Sequence, residues 1–278
     1  MKTKRPIRRK FHHRPADSDN QRYEKQDLFK PDKPAKPAKG FSSPGWIVLN
    51  TILIFLFSQF TAAIFVEIIL TIVHPHVSSG FFDNSIAAQF FYVLLAESLA
   101  VALVLWVVRR RGLRLSAIGL GRRPVWGDLL RAIIGFGAFY LVLIIVGVII
   151  GIVSPNINNE QQNIGFNNLH TTSDNTLAFL ALVILPPLGE ETLVRGYLYS
   201  GLRKYWRFLP ALLLTSAIFG IAHLEIGSGS PLVWGAAIDT FILSVVLVYM
   251  REKTGALYAG ILVHMLNNLV AFTVHYHS

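Results

Sequence analysis

Cysteine is missing from all 278 residues. Disulfide bridges, thiolate nucleophiles and Cys-ligated zinc are therefore excluded, and with them the cysteine proteases. Charge is scarce too: 15% of residues are Asp, Glu, Lys or Arg against 53% hydrophobic, and mean hydropathy is +0.48. Soluble domains carry about 25% charged residues, so the composition excludes an ordinary soluble protein and reads as a polytopic membrane protein. A crossing helix needs about 20 apolar residues. Runs of that kind fall at 46–73, 86–108, 129–153, 176–200, 209–223, 232–250 and 256–274. The fifth is short and the last is interrupted by polar side chains. The expected fold is all-α, a membrane helical bundle of about seven transmembrane helices, with six or eight as alternatives.

Lys and Arg are also missing from every second loop. They are absent from 74–85, 154–175 and 225–230, and present in the N-terminal tail, in 109–123, in 203–207 and at Arg251 and Lys253. Basic residues mark cytoplasmic loops. The alternation predicts an N-terminus inside and a C-terminus outside a cell membrane. It also accounts for the net charge of +10 as a topology signal rather than a nucleic-acid-binding one. Residues 1–44 are basic and Pro-rich, with repeated Lys-Pro steps, and are expected to form a disordered cytoplasmic tail. The tail has no apolar core before Trp46 and is not expected to be a cleavable signal peptide; it has the charge to touch anionic lipid. The bundle then occupies 45–278.

Against this apolar background the ionisable residues stand out. Glu190, Glu191 and Arg195 lie within the fourth run, where a charge at the bilayer centre costs roughly 2.5 to 3.5 kcal/mol on insertion scales. Glu191 and Arg195 are four apart, on one helix face, and predict an intrahelical ion pair. Glu190 is turned about 100° away, free to face a cavity. Pro186 and Pro187 precede them and predict a break or restart of the helix. Such a restart would put both glutamates in a first turn, where free N–H groups favour carboxylates. Phe219 with His223 in the fifth run, and His264 with Asn268 in the seventh, repeat the i, i+4 spacing. At ~1.5 Å per residue these groups lie at compatible depths. Glu67, Glu97 and Asp239 are read as bundle-interior hydrogen-bonding groups, and Gly137, Gly147 and Gly151 as sites of close helix contact.

Three motifs in this order, Glu190-Glu191 with Arg195, Phe219 with His223 and His264 with Asn268, resemble the CAAX protease and bacteriocin-processing (Abi) family of intramembrane proteases. The resemblance covers roughly the last hundred residues and places a catalytic core at about 176–275. It implies hydrolysis of a peptide bond by water activated by Glu190 and His223, with His264 and Asn268 stabilising the oxyanion. The chemistry agrees: carboxylate and imidazole suit general-base work, and His with Asn supply donors for developing negative charge. Phe219 is read as a residue shaping the pocket. No cofactor is favoured, although Glu190, His223 and His264 are also a zinc set with an open position; Asn268 is a poor zinc ligand but a good oxyanion donor. The expected partners are the bilayer and a membrane-associated peptide or protein substrate, such as a bacterial pheromone or bacteriocin precursor, and not nucleic acid. Two other readings compete: a non-proteolytic membrane partner or immunity protein binding a sensor or toxin, and a transporter using its paired carboxylates to relay protons.

Overall fold

The computed structural model describes residues 40–73, 82, 85–153, 165–167, 169–224 and 234–277. They form α1 (Pro44–Val73), α2 (Ile86–Arg110), a 3₁₀ turn (Leu115–Ile118), α3 (Trp126–Val153), α4 (Thr172–Leu202), α5 (Phe208–Ala222), α6 (Trp234–Thr254) and α7 (Tyr258–His277). There is no strand among the described residues. Five of the helices, α1 to α4 and α6, are long and apolar enough to cross a membrane, and α5 is a shorter apolar helix. The chain is thus a helical bundle of a multi-pass membrane protein, with the seven helices read from the sequence. The basic tail up to residue 39 and most of the loops without Lys or Arg lie outside the described residues.

Hydrophobic side chains are exposed along whole helix faces, including Phe57, Phe60 and Ile64 on α1 and Ile134, Ile144 and Ile152 on α3. An apolar face of this extent suits acyl chains rather than water. The opposite face of α1 buries Ile47, Thr51, Ile54, Ser58, Ala62 and Val66 at steps of three or four. Of these, Ile47 and Ile54 join Ala100, Val104 and Val108 of α2 and the second half of α4 in one core. Small side chains let these backbones approach, which is how helices associate where no hydrophobic force separates them from lipid.

α4 runs through the centre, and residues 191–202 are all buried. It starts at Thr172 rather than near 176 because of a capping box: Thr171 Oγ1 accepts the Asp174 N–H and the Asp174 carboxylate accepts the Thr171 N–H. The expected break at Pro186-Pro187 does not occur. A proline ring clashes with the carbonyl four residues back, and the helix avoids the clash by widening over Leu180–Ile184, where the Leu185 N–H donates to Leu180 O, five residues back. It widens again over Glu191–Tyr199. Wide π-type turns are usually single and cluster at functional sites. The two glutamates therefore sit within a continuous helix, and no free helix N-terminus supports their charge.

Two further expectations are corrected. Gly137, Gly147 and Gly151 face open space, whereas Gly135 touches Met250 and Val263. Glu67 and Asp239 are exposed and not interior groups; only Glu97 is turned into the bundle.

The end of the bundle where α4 finishes is tied to the segment after α2. Leu257 N–H donates to Gly119 O at 3.2 Å, and Arg251 Nη2 donates to Ser200 Oγ at 3.0 Å and Ala117 O at 3.3 Å. Gly196 passes the Ile118 carbonyl where a Cβ would stand 3.2 Å from the oxygen. The depth of α4, and with it that of the glutamates, is fixed from below.

Candidate active site

Glu191 and Arg195 form the intrahelical pair read from their spacing, Arg195 Nη1 donating to Glu191 Oε1 at 2.8 Å with both side chains essentially inaccessible. A buried charge must be paired to be tolerated. The same carboxylate oxygen accepts His264 Nδ1–H across from α7 at 3.1 Å. A carboxylate only accepts, so the proton on this His264 nitrogen is fixed. His264 Nε2 is left facing Glu190, whose Oε2 lies 3.8 Å away, too far for a hydrogen bond. Glu190 is the more accessible of the two glutamates, with a quarter of its side chain open (24%) against 1% for Glu191.

Phe219 joins the three motifs. Its ring lies beneath the Arg195 guanidinium at 4.2 Å, 4.6 Å from the His223 ring and 6.0 Å, edge-on, from the His264 ring. Cation–π attraction to a desolvated arginine is worth up to about 2 kcal/mol, so Phe219 steadies the ion pair. His223 follows the last residue of α5. The Phe219 carbonyl is among those a helix end leaves without a backbone donor, and His223 Nδ1 donates to it at 2.8 Å. A carbonyl also only accepts, so Nε2 of a neutral His223 ring carries the lone pair.

Glu190, Glu191, Arg195, Phe219, His223 and His264 thus form one contiguous group drawn from α4, α5 and α7. Asn268 stands one turn further along α7, and one N–H of its amide donates to Leu182 O at 2.9 Å. Among the described residues, no three His, Asp or Glu side chains converge as a metal-ligand set. His264 Nδ1 and His223 Nδ1 are committed to Glu191 and to a carbonyl, so Nε2 of each ring is the nitrogen that could ligate an ion together with Glu190.

Sequence reasoning missed Glu97 of α2 as a neighbour of the site. Its Oε2 packs on Gly189, the residue before Glu190, so closely that a Cβ there would lie 1.8 Å from it. The available signal was a glycine next to paired glutamates, which marks a close approach. Gly189→Ala should therefore displace Glu97 at an overpacking cost of about 1–3 kcal/mol. Thermal unfolding in detergent checks this, and Glu97→Ala in the same chain should recover most of the loss.

Similarity to known proteins falls on these helices. Residues 172–270 match the family model described as type II CAAX prenyl endopeptidase Rce1-like. An uncharacterized 24.3 kDa protein of Escherichia coli is 32% identical over 94 residues, which is 33% of this chain and 41% of that protein. The match therefore spans about two fifths of that relative's length. No solved structure matches. With its three motifs gathered around Phe219 on α4, α5 and α7, the segment 172–270 is similar to the Rce1-like type II CAAX prenyl endopeptidases, as its motifs suggested.

Proposed function

We propose that this chain is an integral-membrane endopeptidase that hydrolyses a peptide bond in a membrane-associated protein or peptide. The observation that carries this reading is the meeting of three motif segments on one aromatic ring, with an accessible glutamate beside a histidine whose orientation a second, buried glutamate fixes. Glu190 is the general base. As the oxygen of a water molecule attacks the scissile carbonyl carbon, one of its protons passes to the Glu190 carboxylate, and His223 Nε2 accepts a hydrogen bond from the other. Negative charge grows on the carbonyl oxygen, and His264, held by the Glu191 carboxylate, stabilises it. When the tetrahedral intermediate collapses, the C–N bond breaks and Glu190 returns its proton to the leaving amine. In such sites a general base contributes roughly 10²- to 10⁴-fold and an oxyanion donor roughly 10²- to 10³-fold.

The alternating basic loops support an N-terminus on the cytoplasmic side and a C-terminus outside. The Escherichia coli relative supports a bacterial setting, in which peptide pheromones and bacteriocin precursors are substrates of suitable size and location. No metal has a role in this reading.

Purified wild type, Glu190→Ala, His223→Ala and His264→Ala are to be compared for cleavage of membrane-anchored peptides, with and without a chelator. Cleavage by wild type alone, unchanged by chelator, is the expected result. Loss on chelation would transfer the chemistry to a metal. No cleavage by any form, with the cellular phenotype intact in the variants, would replace the peptidase with a binding protein.

A further inference from the structure

The carbonyl of Leu182 cannot find a donor in its own helix. Its α-helical partner would be the N–H of residue 186, and in a widened turn that of residue 187; both are prolines and have none. The nearer N–H of Leu185 is already given to Leu180 O. In the membrane interior water does not make up such a deficit. The donor comes instead from another helix: Asn268 Nδ2 of α7, at 2.9 Å. Asn268 stands one turn beyond His264, so α7 holds α4 at two places, by Asn268 at the widened turn before the prolines and by His264 at Glu191 and beside Glu190.

We propose that Asn268 is a positioning residue whose side-chain amide replaces the backbone donor that Pro186 and Pro187 lack, fixing the widened turn against α7 and thereby the place of Glu190 relative to His264. This is distinct from the oxyanion role that the family resemblance implies for Asn268, for which the amide keeps its second N–H, and the two make different forecasts. If the amide serves Leu182, a backbone N–H restored at residue 186 takes over its task. If it serves the oxyanion, no change in α4 replaces it.

The test is a double-mutant cycle of Asn268→Ala with Pro186→Ala, and in parallel with Pro187→Ala in case the first proline variant does not fold. The readouts are thermal unfolding in detergent and kcat and KM for peptide cleavage. Asn268→Ala is expected to lower the unfolding midpoint and to reduce kcat at least roughly tenfold, with KM within about twofold. The double variant is expected to regain the midpoint and at least roughly tenfold of the lost kcat, an interaction typical of groups in direct contact. Independent, multiplying losses would overturn the proposal. So would a restored midpoint with kcat still depressed, which would leave Asn268 as the oxyanion donor. Only the kinetic readout rests on the peptidase reading. If wild type cleaves nothing, that reading fails, while the unfolding midpoints still decide whether Asn268 serves Leu182.

Discussion

Glu190→Gln is expected to lower kcat by about 10²- to 10⁴-fold, the range for a lost general base, and to leave the unfolding midpoint nearly unchanged. Both halves follow from its surroundings. Glu190 keeps a quarter of its side chain accessible (24%), its buried Oε2 has no hydrogen-bond partner among the described residues, and His264 Nε2 is 3.8 Å away. Neutralising it breaks no hydrogen bond at Oε2, and glutamine keeps its shape. Glu191→Gln, one residue on, should do the reverse first: it weakens the acceptor of both Arg195 and His264 and lowers stability before any effect on chemistry is read. Kinetics and thermal unfolding of the two variants side by side make the comparison. If Glu191→Gln kept the protein folded and abolished turnover while Glu190→Gln spared it, the two roles would have to be exchanged.

Arg195→Met should be the most destabilising change in the site, at about 3–5 kcal/mol, because it leaves a buried carboxylate without its counter-charge. The stacking on Phe219 is lost with it. Lysine is a poor replacement, since its compact ammonium lacks the planar face that covers the ring. Removing both charges, as in Glu191→Met with Arg195→Met, should recover much of the stability, because an apolar pair of similar volume often replaces a buried ion pair at little cost. It should not recover activity, since His264 then has no carboxylate to hold its Nδ1–H. Chemical or thermal unfolding of the three variants measures the first effect, and peptide cleavage the second.

The parts of this arrangement that were legible in the sequence follow from periodicity. Apolar length marked the seven helices, and the i, i+4 step from Glu191 to Arg195 marked the ion pair. Contacts between segments were not legible. Prolines at 186 and 187 predicted a break, because the local rule counts donors within one helix, whereas the bundle supplies an amide from α7. The glycines of α3 were misread for a related reason: spacing shows which residues share a face but not whether that face meets a helix or lipid. Gly135 lies against Met250 and Val263, and its neighbours Gly137, Gly147 and Gly151 do not. Glu67 and Asp239 were placed inside by the cost of charge in lipid, yet both are exposed in the bundle. Glu97 had no motif to announce it; only the clearance at Gly189 reveals its position.

The core around α4 carries a consequence for how such a protein can diverge. Leu193, Val194, Tyr197, Leu198 and Leu202 of the family-like segment are buried against Phe41, Ile47, Ile54, Ala100, Val104 and Val108, none of which lies in it. A fragment cut at residue 172 would lose that cover. What α1 and α2 supply is mostly shape, which many apolar sequences provide equally well. What α4, α5 and α7 supply is a set of particular functional groups, which few sequences do. Such a core leaves α1 and α2 free to vary in sequence wherever their volume is kept, while α4 still depends on their cover.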